Sequence, residues 1–144
     1  MKIIFDTNII LDVLLNREQF VKQSALLVSA VENNHIEGYL CATTITTLDY
    51  LISKNSSRDR ARTEIGKLLS LFTIAEVNSR VLEMAVHSKF KNFEDAVQYY
   101  SAECSSTNGL VTRNSKDFKS AELPVYSPDE LWKIISIHQI KHPQ

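Results

Sequence analysis

Short apolar runs separated by longer amphipathic stretches set the pattern of this chain. Ile3-Ile4-Phe5 is an uninterrupted apolar run, as in a strand buried on both faces. Ile9, Ile10, Val13 and Leu14 then recur at helical spacing, and a second helix is predicted over 18–34, stopped by Asn33-Asn34. Residues 38–42, carrying Tyr39 and Cys41, read as the second strand. Ile45, Leu48, Leu51 and Ile52 predict a helix over 43–54 despite its threonines, and Ser56-Ser57 offer an N-cap for a charged helix over 58–71. A strand over 72–77 is followed by helices opened by Asn78 and Asn92, the latter over 93–106 with Glu94 and Asp95 in its first turn. Two short strands remain, 109–112 and 123–126, and Pro124 places the last at a sheet edge. Ser127-Pro128-Asp129-Glu130 is a capping box opening a final helix through Trp132 and Ile135. Strands alternating with helices predict an α/β fold with a mainly parallel sheet, one domain over 1–137 and a frayed tail over 138–144.

Composition narrows the class. Sixteen Lys and Arg against 17 Asp and Glu give a net charge of −1, which excludes gripping nucleic acid by bulk charge. Apolar stretches are all short, so no membrane span is expected, and Asp6 comes too early for a signal peptide. A cytoplasmic protein is the expectation. Cys41 and Cys104 then read as two reduced, buried thiols, without the spacing of a metal-binding pair.

Parallel sheets collect functional groups beyond the carboxyl ends of their strands. Asp6 follows the first strand directly, and Asn114 and Asp117 follow the strand over 109–112. Asp95 opens the helix that leads into that strand. Three segments thus bring acidic or amide oxygens to one sheet edge, the chemistry that Mg²⁺ or Mn²⁺ requires. Taken singly, Asp95 also suits the helix dipole, and Asp6-Thr7-Asn8 also suits a turn.

Their order along the chain resembles a known family. Ile4-Phe5-Asp6-Thr7-Asn8-Ile9-Ile10-Leu11-Asp12 is similar to the opening motif of PIN domains, the metal-dependent ribonuclease fold of VapC-type toxins. Phe93-Glu94-Asp95-Ala96 resembles their central acidic helix start, Leu110-Val111-Thr112-Arg113-Asn114-Ser115-Lys116-Asp117-Phe118 their late strand and turn, and Pro124-Val125-Tyr126-Ser127-Pro128 their ending. The resemblance implies a three-layer α/β/α sandwich and a homodimer, for which the helix over 43–54 offers a face. It implies an antitoxin partner and hydrolysis of single-stranded RNA that leaves a 5′-phosphate. Asp6 takes the place of the first acid and Asp95 of the third. The fourth falls on Asn114, with Asp117 as substitute; Asp6, Asp95 and Asp117 are the implied metal ligands. Thr7, Asn8 and Thr112 are the implied supporting groups. The second acid, on the helix over 43–54, falls on Thr47, and Asp49 lies about 200° around the helix from it. Glu94 is expected to point away from Asp95's direction and to play a minor part.

Arg113, Lys116 and Lys119, with Lys89 and Lys91, flank this site and are candidates for phosphate contact. Lys54, Arg58, Arg60 and Arg62 read as a solvated face. Asp12 either organises the loop at Asp6 or faces solvent. His138 and His142 stand at a helical ligand spacing, but near Pro143 they read as frayed tail rather than a zinc site. Trp132 and Phe93 are expected in the core or at an interface. No nucleophile elbow, P-loop or dinucleotide turn is present. Two rivals to a nuclease remain: a degenerate PIN-like domain that binds RNA or a protein without cutting, and an acidic-pocket phosphotransfer domain. The latter usually wants paired acids at the first strand end, where Asp6-Thr7-Asn8 supplies one.

Overall fold

A computed structural model describes residues 1–141. Its centre is a sheet of five parallel strands: β1 (Lys2–Phe5), β2 (Glu37–Cys41), β3 (Thr73–Ala75), β4 (Gly109–Val111) and β5 (Val125–Tyr126). Their order is β3-β2-β1-β4-β5. The chain builds outward from β1 to β3, then returns to lay β4 against the other side of β1. Between β1 and β4 the winding reverses, and a crevice opens there at the carboxyl ends of the strands. Pro124 precedes the edge strand, where a missing N–H costs least.

Alternate residues of each strand enter opposite cores. Ile3, Phe5, Leu40 and Val111 pack with α1 (Thr7–Leu14), α2 (Val21–Glu32), α3 (Ala42–Asn55), α4 (Arg58–Leu71) and α7 (Pro128–Lys141). Ile4, Cys41 and Leu110 pack with α5 (Ser79–Val86) and α6 (Phe93–Cys104). Three layers result, and both sheet faces are covered, which is why the strands read as unbroken apolar runs. Gly38 is required by close approach: a Cβ there would lie 2.6 Å from the Phe72 ring, which stacks edge-on against Phe5. Buried Tyr99 accepts hydrogen bonds from the backbone N–H groups of Glu122 and Leu123 and so ties the approach to β5 onto α6.

Caps fall where short polar side chains stand. Ser57, Asn78 and Asn92 each accept a hydrogen bond from a backbone N–H three residues on, and Ser127 and Glu130 form the reciprocal box. Several boundaries differ from the expected ones. The second helix starts at Val21 rather than 18, because the chain first makes a turn that Arg17 closes with its carbonyl. The last helix runs through Lys141, past the expected fray after Ile137; His142 lies outside the described residues. Cys41 is buried, but Cys104 is exposed, since it ends α6 on the outer side. Phe93 is 51% exposed, outside the core, while Trp132 packs partly buried against it. No helix of the described residues is long and apolar enough to cross a membrane.

Candidate active site

Asp6 leaves β1 at the crevice and precedes α1 without capping it through its side chain. That carboxylate is buried and accepts two hydrogen bonds, from Thr112 Oγ1 to Oδ2 at 2.7 Å and from Gln98 Nε2 to Oδ1 at 3.2 Å. Thr112 in turn accepts from the Asn114 N–H at 3.0 Å, so one hydroxyl links the ends of β1 and β4. Behind Gln98 stands Thr44, which donates to Gln98 Oε1 at 3.3 Å and lies 2.9 Å from the Thr7 hydroxyl. Burial raises the Asp6 pKa; the bonds from Thr112 and Gln98 hold it down in part.

Asp95, Asn114, Asp117, Glu94 and Thr47 line the same cavity as Asp6, a space of about 300 Å³. Asp95 enters from the first turn of α6, and Asp117 from a short 3₁₀ turn, Ser115–Phe118, that follows β4. Partial burial, then the charges of Asp6, Asp117 and Glu94, push the Asp95 carboxyl up to about 6. Carboxylates therefore crowd one another here without a cation in the cavity lining. The donor set is oxygen throughout, which suits a hard divalent ion. No group of three or more His, Cys, Asp or Glu among the described residues closes on a single point. Mg²⁺ keeps several waters and takes one or two carboxylates, so Asp6 with Asp95 fits such an ion.

The remaining candidates separate by their partners. Asn8 accepts from Arg17 at 3.3 Å and Thr7 meets Thr44. Arg113, a candidate for phosphate contact, turns inward instead. Its guanidinium grips the fully buried Asp12 through two bonds of 2.8 and 3.1 Å and lies 3.8 Å over the Phe20 ring. Asp12 therefore faces Arg113, Arg17 and Ser24 rather than solvent, and it ties the β4 turn to α1. Lys116 and Lys119 stay free of that network. They line, with Lys89 and Lys91, a second cleft of about 350 Å³ that shares Asn92, Asp95 and Asp117 with the first. Arg60, expected in a solvated face, donates to the Leu14 carbonyl at 2.6 Å, and Arg62 pairs with Asp49 away from the cavity.

Three groups were not anticipated by sequence reasoning. Gln98 and Thr44 stand three residues from Asp95 and Thr47 respectively, so the i, i+3 face of each helix carries them into the site. Glu94, expected to point elsewhere, turns into the cavity and accepts from the Thr47 hydroxyl at 3.0 Å.

A parallel sheet with acids gathered at its switch point is the architecture expected of a PIN domain. Residues 2–116 match the family model of the PIN domain, and the chain belongs to that family. Among characterised relatives it is similar to Ribonuclease VapC1 of Aquifex aeolicus (strain VF5), 27% identical over 134 residues covering 90% of this chain and 92% of that protein. Solved structures share its fold. One is VapBC2 from Rickettsia felis bound to a DNA fragment from its promoter, at TM-score 0.65 and 17% identity, covering 88% of this chain and 98% of that one. Another is a toxin–antitoxin complex from Klebsiella pneumoniae, at TM-score 0.66 and 24% identity, covering 87% and 96%.

Proposed function

We propose that this protein is a metal-dependent endoribonuclease that cleaves single-stranded RNA and acts as the toxin of a toxin–antitoxin pair. One observation carries the reading: a carboxylate-lined cavity opens, through shared Asn92, Asp95 and Asp117, into a cleft lined by four lysines. Acids beside lysines suit a phosphodiester whose scissile group sits over the carboxylates while neighbouring phosphates meet ammonium groups.

Asp6 and Asp95, with Asp117 or Asn114, would hold Mg²⁺ or Mn²⁺ directly or through water. When bound, the ion supplies charge neutralisation and a water of lowered pKa. The chain's own part is positional. Thr112 and Gln98 fix both oxygens of Asp6, so the carboxylate cannot rotate away as charge builds on phosphorus. Lys116 and Lys119 seat the flanking backbone, and water attack on phosphorus with departure of the 3′ oxygen leaves a 5′-phosphate. The relative named as a ribonuclease and the neighbour solved as a toxin–antitoxin complex support the toxin reading. An antitoxin and a second copy of the chain are the partners proposed.

Binding without cutting is a second reading, favoured by the absence of three acids closing on one point among the described residues. Cleavage of single-stranded RNA in Mn²⁺, abolished by chelator and by Asp6→Asn, supports the nuclease; RNA binding with no cleavage selects the second reading. Growth arrest on induced expression, relieved by Asp6→Asn, tests the toxin role. Light scattering at micromolar concentration tests the dimer, which requires twice the 16.4 kDa chain mass.

A further inference from the structure

The α3 position at which the family resemblance places an acid carries a neutral Thr47, yet the cavity is not short of a carboxylate there. Thr47 Oγ1 donates to Glu94 Oε1 at 3.0 Å, joining α3 to the first turn of α6 across the cavity they both line. Thr44, one helical turn earlier on the same face, makes the matching link from α3 to Gln98, which holds Asp6. Two threonine hydroxyls thus pin the acidic end of α6 to α3. Asp49, the other acid on α3, is turned away toward Arg62 at 3.5 Å. Glu94, by contrast, forms no ion pair with a Lys or Arg among the described residues, so its charge is available to the cavity.

We propose that the Thr47–Glu94 pair is the second acidic position of this site, the carboxylate standing on α6 and the α3 threonine orienting it toward a divalent cation or its bound water. The inference rests on the metal-dependent reading above and adds a residue to it. A hydroxyl donating to Oε1 leaves Oε2 free and fixes the rotamer, which a flexible, exposed glutamate would not otherwise hold. Relocation also keeps four acids around the cavity, Asp6, Glu94, Asp95 and Asp117, without a carboxylate on α3 itself.

Calorimetric titration with Mn²⁺ alone, without RNA, tests this on the full chain after each variant has been melted without metal to show that it folds. Glu94→Gln is expected to weaken Mn²⁺ binding at least tenfold, and Thr47→Val a few-fold through loss of orientation. The exchanged pair Thr47→Glu with Glu94→Gln puts the charge back on α3 and is expected to recover affinity to within threefold of wild type. A loss smaller than threefold in Glu94→Gln overturns the proposal, and so does a larger loss that the exchanged pair fails to recover. Should the exchanged pair not fold, Glu94→Ala measured against wild type decides the matter by the same threefold limit. Wild type that binds no Mn²⁺ at all would instead overturn the metal-dependent reading on which the proposal rests.

Discussion

Replacing Asp95 with asparagine should make the metal-free protein more stable at neutral pH. Asp95 is held at about 6, against an ordinary 3.8, by partial burial and by the charges of Asp6, Asp117 and Glu94. A carboxyl whose folded pKa lies above its unfolded value costs the fold nothing below the lower value. The cost grows as pH rises between about 4 and 6, and is complete above. Two pH units correspond to about 3 kcal/mol. Asp95 is only half-buried, so solvent screening reduces this to about 1.5 kcal/mol. Losing a favourable charge at the start of α6 takes back about 0.5 kcal/mol. A net gain of about 1 kcal/mol should raise the melting temperature by about 3 °C at pH 7.5, and by almost nothing at pH 4. Thermal melting of both proteins in chelator, at both pH values, reads the difference. Saturating Mn²⁺ should reverse the ranking, because only wild type keeps both carboxylates to bind it. A variant that melts below wild type at pH 7.5 without metal would refute the reasoning, since crowded charge would then not be the dominant effect at this position.

Arg113→Ala should destabilise the fold by about 3 kcal/mol, read by urea denaturation, because Asp12 stays buried with only the longer contacts to Arg17 and Ser24. Gly38→Ala should cost about 2 kcal/mol by the same measurement, since its methyl group collides with the Phe72 ring, which is packed edge-on against Phe5, and with Val31. The double variant Lys116→Ala with Lys119→Ala, in an Asp6→Asn background, should bind single-stranded RNA about tenfold more weakly and lower the salt slope of affinity by about 1.4. An unchanged slope, read by fluorescence anisotropy across salt concentrations, would place the RNA elsewhere.

Fold and site were legible to different depths. Strands buried on both faces announce themselves as apolar runs, and Ser57, Asn78 and Asn92 mark helix starts by capping chemistry that acts within one turn. The edge position of β5 was readable from Pro124, whose constraint is also local. Acids at strand ends pointed to the crevice because a parallel sheet puts its carboxyl ends together. Partnerships across the fold were not readable. Whether Arg113 meets RNA or Asp12 depends on how α1 lies against the β4 turn, over a separation of 101 residues. The direction of Glu94 depends on a threonine 47 positions away, whereas helix geometry alone argued against it. Gln98 sits on the Asp95 face of its helix, a local signal, but its bond to Asp6 comes only with the packing of α6 onto the sheet.

The most direct test is cleavage of an end-labelled single-stranded RNA by wild type and Asp6→Asn, each in Mn²⁺ and in chelator. The account predicts fragments with 5′-phosphate ends from wild type in Mn²⁺ and none from the other three reactions. Equal cleavage by Asp6→Asn, or by wild type in chelator, would contradict it.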